Sequence, residues 1–396
     1  MDLSEIVVAA GARLPIGRFG GSLRGFRVYE LGAKAIAEAV RRAGVKPEEV
    51  NEVFVAHNRQ SGNGPNPGRT AAVLAGLPAS VPGHTINMAC PAGLRAAIEA
   101  AQAIRLGECE TAVICGMESM STIPHILMGA RWRSFRSGPI VIEDEFSSMV
   151  EPLAKMGAID MAEHTAKKYG VTRREQEEFA VESHRKAATA WEKGWLSEEV
   201  VPVEVPKEGE AGSFVFSKDE CFRADASIEK MAKLPPARQG GTVTAATASG
   251  ITDGAGAVVL TTAAKAKKLG VAPLASLVAY EQVGLAPADM LEGPAIAIPK
   301  VLRKAGLDLR EIDLIEVNEA FAAQMVANER VLGWDRSRVN VHGGAIALGH
   351  PTGFTGVRLL LTLSRALAIH GGRYGLIALC GGGGLGIAMI IRREQV

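Results

Sequence analysis

Two hydrophobic periods alternate along the chain. Glu5-Ile6-Val7-Val8-Ala9-Ala10 is a nearly continuous apolar run and predicts a buried strand. Val28 to Ala43 then carries Leu31, Ala35, Ala39 and Ala43 at helical spacing, with Gly44 as a C-terminal stop. Val53 to Ala56 predicts a second strand, Ala92 to Leu106 a helix and Thr111 to Cys115 a third strand. The same alternation returns after about residue 270. Strands are expected at Leu274 to Tyr280, Asp313 to Val317 and Tyr374 to Leu379, and helices at Pro294 to Ala305, Glu319 to Leu332 and Phe354 to Ile369. Strand-helix-strand order implies an α/β fold with a mostly parallel sheet and helices on its faces.

The middle of the chain breaks this rhythm. Residues 119–249 hold Trp132, Trp191 and Trp195, charge-rich helices and irregular loops; Thr172-Arg173-Arg174-Glu175 is a capping box opening a helix to about Lys193. This stretch reads as an insertion over the core. The ends resemble each other: Gly93-Leu-Arg95 opens a helix that leads to Ile114-Cys115-Gly116, and Gly356-Val-Arg358 opens one that leads to Leu379-Cys380-Gly381. Two related halves would place a site between them.

Composition narrows the classes. A length of 396 residues suggests more than one domain, and 47% hydrophobic residues supply a large core. A net charge of +1 argues against a nucleic-acid partner. Five cysteines without a CxxC pair argue against a disulfide scaffold or zinc-thiolate site, and no HExxH or similar spacing supports a metal. The uncharged stretch Gly375 to Ile391 contains Gly381 to Gly384, so it reads as strand, turn and strand rather than a membrane helix. Neither the acidic opening at Met1-Asp2 nor the close at Gln395-Val396 matches a targeting signal, and the expectation is a cytoplasmic protein without membrane contact.

A few residues could carry chemistry. Cys90, in Asn87-Met-Ala-Cys90-Pro-Ala-Gly93, precedes a helix whose positive end favours a thiolate; a small buried cysteine is the plain alternative. His350, fixed by Pro351 after the glycine-rich Gly343 to Gly349, is a general-base candidate or a satisfied structural histidine. Cys380 ends an apolar strand, and Asn318 after a strand reads first as a helix cap. Gly381-x-Gly383-x-x-Gly386 matches a dinucleotide fingerprint in form only, because a strand rather than a helix follows it.

Taken together, these segments resemble the thiolase family, the acetyl-CoA acetyltransferases and 3-ketoacyl-CoA thiolases. The likeness runs from Arg13-Leu-Pro-Ile-Gly-Arg-Phe-Gly-Gly-Ser22 through the Cys90 segment, Gly116-Met-Glu-Ser-Met-Ser121 and Gly241-Thr-Val-Thr-Ala245. It continues in Asn318-Glu-Ala-Phe-Ala322, Gly343 to Pro351 and Cys380 to Gly386.

The resemblance implies a thiolase-like fold: two pseudo-symmetric α/β halves with an inserted loop domain. The N-terminal half would span 1–118 and 250–269, the loop domain 119–249 and the C-terminal half 270–396. It implies Cys90 as acyl-accepting nucleophile, His350 as its base, Cys380 as second acid/base, and Asn318 holding an oxyanion-hole water. The N–H groups of Cys90 and Gly382 would form a second oxyanion hole. Arg223, Ser249, Phe321 and Met156 match positions that grip coenzyme A, which is substrate and product; no metal or redox cofactor is expected. A homodimer or homotetramer is implied as well.

Lys155, Thr247 and His342 depart from the family's usual residues, and an aromatic near Ala237-Arg238 is missing. These positions bear on chain length. The leading expectation is acetyl-CoA C-acetyltransferase. A broader 3-ketoacyl-CoA thiolase, a cysteine thioesterase using Cys90, and a non-catalytic acyl-CoA binding protein are the alternatives.

Overall fold

The computed structural model describes residues 3–132, 138–145, 150–209 and 211–394; the two terminal dipeptides read above lie outside them. A ten-stranded sheet runs through the molecule. Its principal strands are β1 (Ile6–Arg13), β2 (Glu52–Ala56), β3 (Gly83–Ile86), β4 (Thr111–Ser119), β5 (Thr252–Thr262), β6 (Ala275–Gly284), β7 (Leu314–Val317), β8 (Tyr374–Gly381) and β9 (Leu385–Arg392). Their order is β7-β8-β9-β6-β1-β5-β4-β2-β3.

The sheet is not mostly parallel. Only β2–β3, β2–β4 and β7–β8 pair in parallel; the other neighbours are antiparallel. Parallel neighbours need a crossover, and strand-helix alternation reveals those. The antiparallel centre has other origins. β8 and β9 form a hairpin around Gly382 to Gly384, while β4 and β5 are separated by the whole middle segment yet pair from Asp253↔Ser119 onward. Sequence order cannot disclose such a long-range pairing.

The halves are similar. β3-β2-β4-β5-β1 in one corresponds to a Val339 bridge, β7, β8, β9 and β6 in the other. They join through Val7↔Ser276 and Val8↔Ala275.

Five helices frame them: α1 (Val28–Arg42), α2 (Ala92–Leu106), α3 (Arg173–Glu192), α4 (Gly293–Ala305) and α5 (Thr352–Ile369). Every residue of β1, β4 and β5 is buried, as expected for strands covered on both faces. One core cluster packs α2 and α5 together between inward residues such as Phe54, Ile114, Ile377 and Leu379. The opposite strand faces pack outward, Val53, Val113 and Val259 against α1, and Ile315, Leu376 and Ile390 against α4. The layering is therefore helix, strands, central helix pair, strands, helix.

α2 and α5 cross at glycine. A Cβ on Gly356 would lie 2.4 Å from the Leu94 nitrogen, and one on Gly93 would lie 2.8 Å from the Val357 nitrogen. These are the glycines that correspond in the two similar sequence segments. The backbones touch there, which brings the two helix N-termini together.

The middle segment is tied down by charge. Arg13, fully buried, pairs with Glu199 at 2.7 Å and with Asp219 at 2.8 Å, and Trp191 Nε1 donates to Asp219 at 3.2 Å.

Candidate active site

Each helix of the crossing pair carries a candidate residue just before its first turn. Cys90 is half-buried and sits in the turn before α2, whose N-cap is Pro91. The helix therefore starts one residue later than a proline at its first position would predict. Ala89 has φ of 52°, a left-handed conformation that a non-glycine residue adopts at a cost. Asn87 Oδ1 accepts from the Ala89 N–H at 3.0 Å, and Asn58 Nδ2 donates to the Ala89 carbonyl at 3.0 Å, so the bend is held from both sides. The Cys90 sulfur is met by its own N–H and that of Gly382. Burial pushes the thiol up to about 11 and Glu118 adds to this, while those N–H groups and Arg59 pull the other way.

His350 stands before α5. Its Nδ1 lies 2.6 Å from Thr355 Oγ1, whose hydroxyl donates to the Pro351 carbonyl at 3.0 Å. With that hydrogen spent, the Thr355 oxygen accepts Nδ1–H and the lone pair resides on Nε2. Nε2 lies 3.4 Å from Asn318 Nδ2. Burial, then the Arg358 cation, lower His350 to about 4 against a raising influence of Glu118, so the imidazole is neutral at pH 7.

Cys380 ends β8 and is buried; burial and the neighbouring Cys90 raise its thiol. A Cβ on Gly381 would lie 2.5 Å from Pro91 Cδ, so the turn after Cys380 rests on the turn after Cys90. Asn318 is buried, its N–H donates to Ala378 in β8, and its Oδ1 has no hydrogen-bond partner among the described residues. It does not cap the next helix, which begins at Ala322 with Phe321 as N-cap.

Met156, Phe321 and Cys380 belong to one small apolar cluster with Met161, Val243 and Leu291. Ser249 joins its rim by donating its N–H to the Ala320 carbonyl at 3.0 Å. Arg223 lies apart, exposed on the inserted segment, with its N–H donated to the buried His184 Nδ1 at 3.1 Å. Cys90, Gly382, Cys380, Asn318 and His350 thus surround one place, Met156, Phe321 and Ser249 line its flank, and Arg223 stands outside it.

Sequence reasoning missed the groups that hold these residues. Glu319, buried, accepts from Ser183, Asn340 and the Ile346 N–H, and a Cβ on Gly344 would lie 2.0 Å from its carboxyl carbon. That carboxylate pins the glycine-rich loop leading to His350. Glu118 and Thr355 act on neighbouring segments. A carboxylate inside the apolar run Thr111–Ser119 was the available signal for Glu118. Of the departures, His342 stacks on Trp195 and faces His370 at 3.0 Å, away from the cluster, while Thr247 Oγ1 accepts from Thr244 N–H at 2.9 Å.

Among the described residues, no group of three or more histidine, cysteine or acidic side chains could hold a metal ion, and no helix is long and apolar enough to cross a membrane.

Residues 6–264 match the family model for the thiolase N-terminal domain, and residues 271–393 that for the thiolase C-terminal domain. The chain is 45% identical to an acetyl-CoA acetyltransferase of Cupriavidus necator, over 99% of this chain and 100% of that one. The crystal structure of the Bacillus anthracis acetyl-CoA acetyltransferase superposes with a TM-score of 0.95 at 42% identity, over 99% of both chains. Human mitochondrial 3-ketoacyl-CoA thiolase in complex with CoA superposes with a TM-score of 0.94 at 36% identity, again over 99% of both.

Proposed function

Since the chain belongs to the thiolase family, we propose that it is an acetyl-CoA acetyltransferase, joining two acetyl-CoA to acetoacetyl-CoA and free coenzyme A, and reversing the reaction. The observation that carries the reading is the meeting of two cysteines and a neutral histidine where the N-termini of α2 and α5 cross.

In the condensing direction His350 Nε2 takes the proton of Cys90, and the sulfur attacks the first thioester carbonyl. The imidazolium N–H and an Asn318-held water stabilise the oxygen charge. As the carbon–sulfur bond to coenzyme A breaks, Cys380 gives its proton to the departing thiolate, leaving acetyl-Cys90 and a Cys380 thiolate. That thiolate removes the α-proton of the second acetyl-CoA, whose enolate is held by His350. The α-carbon attacks acetyl-Cys90 while the N–H groups of Cys90 and Gly382 stabilise the new oxyanion. The released Cys90 sulfur recovers its proton from His350.

Every proton borrowed is returned and no electrons change hands, so the proposed steps call for no redox carrier. Coenzyme A enters as substrate and leaves as product. Its pantetheine arm would lie along Met156, Phe321 and Ser249, and its adenine against Arg223.

The domain reading assigns 1–118 and 250–269 to one half, 119–249 to the inserted loop domain and 270–396 to the other half. Assembly into a homodimer or homotetramer is supported by the outer edge of β3, which pairs with no further strand among the described residues, and by the exposed apolar residues Leu127, Met128, Trp132, Ile140 and Val141. We place the enzyme in the cytoplasm.

Thiolysis of acetoacetyl-CoA and of a medium-chain 3-ketoacyl-CoA, wild type against Cys90→Ala, tests the reading. Turnover of the short substrate, abolished in Cys90→Ala, is expected. Comparable turnover of the medium chain would make it a broader thiolase, and no Cys90-dependent turnover would sink the reading.

A further inference from the structure

Glu118 is fully buried near the end of β4, on the floor beneath the reacting residues. Its Oε1 lies 2.7 Å from His57 Nδ1 and accepts the Arg59 N–H at 3.1 Å. Its Oε2 accepts the Thr352 hydroxyl at 2.7 Å, the Gly353 N–H at 2.9 Å and the Asn58 N–H at 3.2 Å. His57 Nε2 faces the donor Asn63 Nδ2 at 3.4 Å, so its hydrogen is on Nδ1, toward Glu118. Burial alone would raise this carboxyl, yet the His57 contact and the other donors hold it below the ordinary range.

Two of the segments it grips lead straight to the reacting groups. Asn58 holds the Ala89 carbonyl, and Asn87 Nδ2 donates to the Asn58 carbonyl at 3.3 Å, so loop 57–59 sets the bend that aims Cys90. Thr352 and Gly353 open α5 just after His350, and the next residues of that turn include Thr355, which fixes the imidazole. A Cβ on Gly353 would lie 2.8 Å from the Ala56 and Met117 carbonyl oxygens, so this helix start is pressed against the strands beside Glu118.

We propose that Glu118 is the positioning residue that locks the Cys90 bend and the His350 helix start into one unit, so that sulfur and Nε2 meet in register. This deepens the reaction proposed above and rests on it. Only an acceptor on both oxygens can serve. A carboxamide would turn its NH2 toward donors and release one segment.

The charge has a separate signature. Cys90 is faced by Arg59, Glu118 and Cys380, and His350 by Arg358 and Glu118. Glu118 opposes thiolate formation at Cys90, so its loss makes that thiol more acidic.

The test is E118Q, with E118D and T352V beside it, assayed by acetoacetyl-CoA thiolysis and by the pH dependence of Cys90 alkylation with iodoacetamide. E118Q is expected to lower kcat about 100-fold, the scale of a misplaced general base, with KM little changed. Its alkylation midpoint moves to lower pH. E118D should recover part of kcat and restore the midpoint. T352V, which removes one donor, should lose kcat with the midpoint unmoved, and it decides the matter if E118Q does not fold. Wild-type kcat in folded E118Q, or in T352V, overturns the proposal; so does lost activity with an unshifted midpoint in E118Q. An inactive wild type would instead overturn the reaction on which the proposal rests.

Discussion

Cys90 and Cys380 are both thiols at rest, raised by burial, yet they occupy different electrostatic settings. Cys90 is met by two N–H groups, whereas Cys380 is packed in an apolar cluster and penalised further by any charge on Cys90. The proposed roles separate accordingly. Cys380→Ala should still accept an acetyl group on Cys90, seen by intact-protein mass after incubation with acetyl-CoA, while losing condensation. Water would protonate the departing coenzyme A thiolate in its place; failure to acetylate would show that the Cys380 proton is indispensable to the first half-reaction. His350 supplies a second expectation. Its folded pKa lies below the usual value for histidine, so it stays neutral down to about 4. The acid limb of kcat/KM should therefore fall well below pH 6.5; a limb at an ordinary histidine value would contradict a buried neutral base. Cys90, His350 and Cys380 stood out as candidates because reactive residue types lay among glycines and prolines. Glu118, Glu319 and Thr355 were not, because a carboxylate or hydroxyl in an apolar run declares its purpose only when distant segments close on it.

At the scale of elements, the alternation of short apolar runs and helical spacing located most helices and strands of the two halves. It missed β5, which begins where the irregular middle ends, and it gave β4 and β8 shorter lengths than they have. The sheet's direction was illegible for the same reason: antiparallel partners were a hairpin apart or more than a hundred residues apart. The element that positions the chemistry is the α2–α5 crossing. Gly356→Ala would drive a methyl into the Leu94 backbone, and neither helix can rotate away without moving Cys90 or His350. We expect a loss of about 3 kcal/mol in unfolding free energy, at the upper end for overpacking, together with reduced turnover. Chemical denaturation checks the first; a variant of unchanged stability would show that the helices have room to part.

Across the whole molecule, several histidines are buried neutral. His184 and His350 are lowered to about 4 and His342 to about 3, burial being the main cause for each. The unfolded chain binds protons to them below about pH 6.5 while the folded chain does not, so stability falls as the pH drops from there toward 4, by roughly 3 kcal/mol per histidine. Glu316 works in the opposite sense. Burial raises it to about 8, so the folded state takes its proton first on acidification. Glu319 and Asp253, raised by burial too, act in the same sense as Glu316; the three strongly lowered histidines set the balance, and the melting temperature should decline between pH 6.5 and 4.5. A flat or rising profile over that range would mean that the carboxylates dominate.

Among the described residues the two halves share little main-chain hydrogen bonding, chiefly the pairing at Val7↔Ser276 and Val8↔Ala275 with Leu274 N–H to Val8 and His350 N–H to Gly250, and the chain passes between them once, through 263–274. Cys90 falls before that passage; Asn318, His350, Cys380 and Gly382 fall after it. A cut there would leave each fragment with its own strands and helices and neither with a complete set of reacting groups. Turnover would then report reassociation of two pieces: a thioester assay would work as a switch that closes only when both are present.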